Sequence, residues 1–301
     1  MLARMLAGVR AGAPIAHGPL TVVPLLVGDV AEPDWLTLAE AGDEVTITEV
    51  DERGDVPALK VENRAPRALL LLDGEELVGA LQNRALDATV LVGAGRTVTI
   101  PVSCVEQGRW AWRSAAFSPG GTSLFASLRR AKAAAVARSL RRGRGHGGSQ
   151  REIWAGIASR VAQHGIESPT LAMHAMYERF ASVLESARRA LAARPRQAGA
   201  LVYVAGRWVG LDLLAAPGVF ARVWPRLLAG YAADAVGVPA SRALEPPPDD
   251  VIERVAAAPL DPVPAVALGV EHRLGGDVAG AALVHEERLV HLMAFPAPSA
   301  G

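Results

Sequence analysis

Cysteine is all but missing from this chain of 301 residues: Cys104 stands alone. One thiol excludes an intrachain disulfide and any multi-cysteine zinc site, and both exclusions fit a reducing cytoplasm. Lysine is nearly as scarce. Of 31 basic residues only Lys60 and Lys132 are lysine, which with heavy Ala, Gly and Pro usage reads as a GC-rich bacterial coding bias. Arginine abundance is therefore no argument for nucleic acid as a partner. Aromatic residues make up only 5% against 50% hydrophobic residues, so the core has to be built from Ala, Val and Leu. Charge of one sign is not in excess: 31 basic residues face 31 acidic ones, and no global field steers the chain to nucleic acid or an anionic membrane. No run of ~18 uncharged apolar residues occurs, so no membrane span is expected. Arg10 interrupts the apolar start and leaves it too short for a signal peptide, so residues 1–17 are expected to be a flexible N-terminus. The seven histidines are dispersed, with no HxH or HExxH spacing. Metal binding has no sequence support and no cofactor is expected.

What is present begins as β. Residues 20–27, 45–50, 56–62 and 68–72 are apolar or alternating runs of strand length. Asp73-Gly74 is a turn signal. Strands are expected again at 77–80, 88–92 and 97–102, the last with Pro101 at a strand end or edge. From residue 122 the period becomes helical. A basic helix over 124–142 ends in the Gly-rich stretch 143–148. Ser149 caps a second helix to about His164. Ser168 as N-cap and Pro169 at the first helical position open a third, ending near Arg194. Strands are expected at 200–205 and 208–213, a helix at 218–235, a stiff linker at Pro246, Pro247 and Pro248, and a short helix from Asp249 and Asp250. Three strands, 265–272, 281–285 and 289–295, close the chain. No regular βα alternation and no phosphate loop appear, which argues for α+β. The expected layout is a mainly antiparallel N-terminal β region (18–113), a central three-helix segment (122–194) and a C-terminal β-α-β region (200–296), packed as one domain over 18–301.

The polar residues concentrate between 73 and 113. Glu75 and Glu76 follow the turn, and strand alternation sends them to opposite faces, one toward a site and one toward solvent. Carboxylates there suit acid–base work or a ligand hydroxyl, while an isolated pair is a polar hairpin tip. Gln82, Asn83 and Arg84 lie one short apolar strand away. Two amides and a guanidinium beside carboxylates can read a polar ligand or hold a bend together, and the residues alone support both equally. Glu106, Arg109 and Trp110 offer a carboxylate, a guanidinium and a ring plane, which suits a base or sugar; a tryptophan core plug, from Trp110 or Trp112, is the plain alternative. Cys104, flanked by apolar residues, reads as a buried small side chain rather than a nucleophile. Gln150, one turn before Trp154, could reach a ligand or cap its helix. Asp212 could enter a site or cap a strand. The basic run Arg129, Arg130, Lys132, Arg138, Arg141, Arg142 and Arg144 reads as a solvated helix face.

Several stretches carry a resemblance. Residues 74–80 (GEELVGA), 82–84 (QNR) and 100–110 (IPVSCVEQGRW), supported by 149–154, 168–170, 210–212 and 224–228, resemble the ARG and rhodanese-phosphatase-superfamily-associated protein domain, where ARG stands for ADP-ribosylglycohydrolase. The resemblance spans most of the chain. It implies a role around NAD-derived or ADP-ribosylated molecules and carries no catalytic mechanism. The expectation is a cytoplasmic protein that binds a small nucleotide-like ligand through Glu75, Glu76, Gln82, Asn83, Arg84, Glu106, Arg109 and Trp110. Glu75, Glu76 and Glu106 are the candidate acid–base groups, and whether a reaction is catalysed stays open, as does the oligomeric state. The other reading is a non-enzymatic interaction module whose polar motif is a structural network.

Overall fold

The computed structural model describes residues 1–51, 54, 57–240 and 250–298. The first elements are α1 (Leu2–Leu6), β1 (Arg10–Ala11), β2 (Ile15–His17), β3 (Leu20–Leu26), β4 (Trp35–Thr37), β5 (Val45–Glu49), β6 (Ala58–Asn63) and β7 (Ala68–Leu71). Then come β8 (Glu75–Gly79), β9 (Arg84–Leu86), β10 (Val90–Val92), β11 (Thr97–Cys104) and β12 (Phe117–Ser123). The helices α2 (Ala126–Arg141), α3 (Gln150–Gln163), α4 (His174–Arg179) and α5 (Ala181–Ala190) follow. The chain closes with β13 (Gln197–Val204), β14 (Arg207–Leu214), α6 (Pro217–Ala235), α7 (Asp250–Ala257), β15 (Leu260–Pro264), β16 (Val270–Leu274), β17 (Val278–His285) and β18 (Arg288–Pro296). The fold is α+β, with strand pairing antiparallel except between β4 and β7.

These elements make two compact units. One, from residues 1–33, 185–265 and 269–301, holds a nine-stranded sheet ordered β1-β3-β13-β14-β18-β17-β16-β15, with β2 also paired to β3. Its apolar cluster joins Leu2 and Leu6 of α1 to Val251 and Val255 of α7 and to sheet residues such as Leu201 and Leu292. Residues 1–17, where the sequence indicated no element, thus contain a helix with buried leucines and two short strands. Trp224 of α6 is buried in this unit and donates through Nε1 to Leu191 O at 2.7 Å.

The other unit, residues 34–184 with 266–268, contains a three-stranded sheet (β10-β7-β4) and a six-stranded one (β12-β8-β9-β11-β6-β5). Its core is aliphatic, with Leu59, Val61, Leu69, Leu71, Leu77, Leu86, Val92 and Ile100 shut off from solvent. The central strands are apolar on both faces, which is why 68–72 could be read as buried.

Four expectations need correction. The third helix does not begin at Ser168. The Ser168 hydroxyl accepts from Ala172 N at 2.9 Å, but Leu171 takes φ +48° and Met173 N donates to Val105 O at 2.8 Å. The backbone of this segment pairs with the segment after β11, so the helix starts only at His174 and breaks again at Phe180. The expected strand 265–272 is divided: Leu268 N donates to Leu91 O at 3.1 Å in the second unit, and Gly269 turns at φ +98° before β16. Strand β12 went unread because Pro119, Gly120 and Gly121 are poor strand residues; the ladder with β8 shifts register there. Finally, the basic helix is not simply solvated, since Arg129 and Lys132 are buried against Asp73. Pro246, Pro247, Pro248, Asp249 and Val56 lie outside the described residues.

Candidate functional site

The segment from Asp73 to Arg113 does gather the predicted polar residues in one unit, but as a buried network. Glu75, Glu76, Gln82, Asn83, Arg84, Glu106 and Arg109 are all buried, whereas Trp110 is 49% exposed. Both glutamates of β8 lie inside, on different partners. Glu75 Oε2 accepts from Leu72 N at 3.2 Å and closes the Asp73-Gly74 turn. Glu76 points the other way, and neither is the solvated member that alternation suggested.

Arg109 organises the middle of the network. Nε donates to Glu106 Oε2 at 2.7 Å, Nη1 to Ala80 O and Ala111 O at 2.7 and 2.8 Å, and Nη2 to Gly79 O and Asn83 Oδ1 at 3.2 and 3.0 Å. Its five donors are occupied by protein groups. The carbonyls face it because the chain turns sharply after β8, with Gly79 at φ +130° and Ala80 at φ +39°. Asn83 is equally engaged: its N donates to Glu106 Oε2 at 3.2 Å, and its Oδ1 also accepts from Gly79 N. Thr170 Oγ1 completes Glu106 by donating to Oε1 at 3.0 Å. Burial pushes the Glu106 carboxyl up, but the bonds from Arg109, Asn83 and Thr170 outweigh it and hold the group below its ordinary value.

Arg84 is different. Nη1 donates to Gln82 O and Oε1, both at 3.2 Å, and Nη2 lies 3.6 Å from Glu49 Oε1, yet Nε and Nη2 have no hydrogen-bond partner among the described residues. The guanidinium carbon sits 5.7 Å from the centroid of the Trp110 ring. Burial pushes the Glu49 carboxyl up, partly offset by Arg84. A fully buried cation, ion-paired with Glu49 through Nη2, thus keeps Nε without a hydrogen-bond partner among the described residues, beneath a half-exposed indole. Trp112, 52% exposed on the same loop, is no more a core plug than Trp110.

Cys104 is buried, and burial pushes its thiol up to about 11. Gln150 holds it from α3: Oε1 accepts from Cys104 N at 2.7 Å and Nε2 donates to Cys104 O at 2.8 Å. That paired bond extends β11 onto a helix and leaves the Gln150 amide little capacity for a ligand. Asp212 belongs to the other unit, where Tyr231 donates to Oδ2 at 2.6 Å and His291 Nε2 lies 2.9 Å from Oδ1.

Sequence reading missed the rest of the site. Glu76 Oε2 accepts from Thr122 Oγ1 at 2.5 Å and meets His174 Nδ1 at 3.0 Å, while its Oε1 is buried without a hydrogen-bond partner among the described residues. His174 lies 98 residues from Glu76, on a different element, so no local motif announces the pair. Its bond to Glu76 pushes the imidazole above its ordinary value against the opposing effect of burial; Glu178 and Glu106 add to the rise. Lys132, one of the two lysines, donates to Asp73 Oδ2 at 2.7 Å and to Leu86 O. Ser103 donates to Asp87 at 2.8 Å, and burial pushes the Asp87 carboxyl up. Among the described residues no group of three His, Cys, Asp or Glu side chains is placed to hold a metal ion, and no helix is long and apolar enough to cross a membrane.

Fold and site together define an α+β protein in which a buried carboxylate–guanidinium network lies beside the exposed Trp110, Trp112 and Arg113 and the half-buried His174. The chain belongs to the ARG and rhodanese-phosphatase-superfamily-associated protein domain family (ARPP-1), whose model matches residues 8–295. No curated protein and no solved structure matches it.

Proposed function

We propose that this protein binds a small nucleotide-type ligand of the NAD-derived or ADP-ribose class, in the cytoplasm. The observation that carries the reading is Arg84, buried with Nε lacking a hydrogen-bond partner among the described residues and covered on one face by the half-exposed ring of Trp110. A base would stack on the free face of Trp110, an interaction of about 1–3 kcal/mol. A small shift of that ring would bring phosphate or carboxylate oxygens to Nε of Arg84. The ligand class itself rests on the family's association with ADP-ribosylglycohydrolases.

Titration calorimetry with ADP-ribose, NAD and AMP tests this. Trp110→Ala is the variant to use, since its exposed side chain lets the fold survive. Binding by the native chain and roughly tenfold or greater loss in the variant, as expected from a stacking contact of that size, is the supporting result. Absence of heat from all three ligands with folded protein would sink the proposal.

A second reading is favoured by the closed bonding of Arg109, Asn83 and Glu106: an interaction module in which the polar motif fixes the fold. It predicts that Glu76→Gln and Arg84→Ala each unfold the chain, and that none of the three nucleotides binds.

A further inference from the structure

The geometry points to His174 as a general acid–base that activates water through Nε2, with Glu76 as the residue that positions it. This inference takes its ligand from the nucleotide-binding reading above and adds a reaction to it: hydrolysis of a neutral acyl ester carried on such a ligand.

Three observations lead there. First, the orientation is fixed. A buried carboxylate can only accept, so the 3.0 Å contact with Glu76 Oε2 places the proton of the neutral imidazole on Nδ1 and the lone pair on Nε2. Glu76 is itself held by the Thr122 hydroxyl at 2.5 Å and by packing against Gly120 of the β12 bulge. Second, Nε2 is available. The His174 side chain is 32% exposed and its only hydrogen bond to a described residue is through Nδ1. Third, the neighbourhood selects the electrophile. The carboxylates acting on His174 are Glu76 from β8, Glu106 from beyond β11 and Glu178 on its own helix. Glu106 is neutralised by Arg109, and the exposed Arg113 lies 3.7 Å from it. With Glu106 neutralised, Glu76 and Glu178 disfavour a phosphoryl group, whose own charge they would repel, and tolerate an uncharged carbonyl.

The step balances without an oxidant or a metal. Nε2 takes a proton from water as the water oxygen bonds to the carbonyl carbon and the C=O electron pair moves to oxygen. When that pair returns, the bond to the alcohol oxygen breaks, and the imidazolium gives its proton to the departing oxygen. One water is consumed, and an acid and an alcohol are released.

The experiment uses the full chain and p-nitrophenyl acetate as the probe ester, with rates followed across pH. The native rate is expected to rise through a single ionisation. His174→Asn should lower it to the buffer background, a loss on the order of 100-fold. Glu76→Gln keeps the shape but not the charge, and should move the inflection to lower pH and reduce the plateau. A His174→Asn variant that hydrolyses the ester like the native chain, or a Glu76→Gln profile with an unmoved inflection, overturns the inference. AMP titration of the same His174→Asn protein separates the two readings. AMP binding with unaltered ester turnover removes only the acid–base role; ester turnover that depends on His174 in a chain that ignores AMP removes only the nucleotide.

Discussion

Arg109 and Glu106 are three residues apart and form an ion pair of 2.6 Å with both side chains almost wholly enclosed. Two buried charges so placed stabilise the fold only as a pair, because either alone would face a low-dielectric interior. Arg109→Ala strands Glu106 and frees the carbonyls of Gly79 and Ala80, so a loss of about 3–5 kcal/mol is expected. Urea unfolding measures it. Trp110→Ala, one residue away but half exposed, should cost far less, and equal losses would show that Arg109 does not organise the segment.

Gln150 and Cys104 give a second, smaller prediction. The Gln150 amide satisfies both backbone groups of Cys104 at the end of β11. Gln150→Ala leaves a buried N–H and C=O without partners, and about 1–3 kcal/mol should be lost. The Cys104 thiol gives an independent check. Held up at about 11 and buried, it should resist iodoacetamide in the native chain and react only after unfolding. Rapid native labelling would remove this account of β11.

What the sequence disclosed follows from what was local. Strand runs such as 68–72 and the Ser149 cap, whose hydroxyl accepts from Glu152 N, carry their signal within a few residues. The burial of Cys104 was legible from its apolar flanks. The concentration of polar groups between Asp73 and Arg113 was legible too, but its exposure was not, because Glu75, Asn83 and Glu106 are satisfied by backbone groups and side chains that only the fold supplies. Thr122 and Thr170 looked like ordinary hydroxyls, and His174 like one dispersed histidine. Ser168 had good capping chemistry, yet pairing of 168–173 with the segment after β11 displaced the helix start.

Two ionisations contribute to opposite edges of the pH–stability curve. Glu106 titrates below its ordinary value when folded, so its contribution is present above about 4.3 and is lost as pH falls through the lower folded value. His174 titrates above its ordinary value when folded. Its contribution is complete below about 6.5 and is lost as pH rises through the higher folded value. Melting temperature followed from acid to mildly alkaline pH should fall at both ends. In Glu76→Gln the alkaline decline should shrink while the acid edge stays, since the largest cause of the His174 shift has been removed and Glu106 has not been touched.

Gly120 links the β12 bulge to this same histidine. A Cβ built there would stand 2.8 Å from Glu76 Oε2, 2.9 Å from its Cγ and 3.0 Å from its Cβ. These are closer than real contacts allow, and Glu76 cannot retreat freely because Thr122 and His174 hold its carboxylate from other sides. Gly120→Ala should therefore cost about 1–3 kcal/mol, the usual range for overpacking a core. It should also pull Oε2 away from Nδ1. The His174 imidazole would then lose its main anionic partner, and its titration, followed through its ring protons by NMR, should move to lower pH. Gly121 next door has a different constraint: nothing lies within 4 Å of its Cβ position, but its φ of +71° disfavours a side chain. Gly121→Ala should destabilise through backbone strain while leaving the His174 titration in place. A matching shift in both variants would mean that the bulge, rather than the Glu76 contact, sets the imidazole.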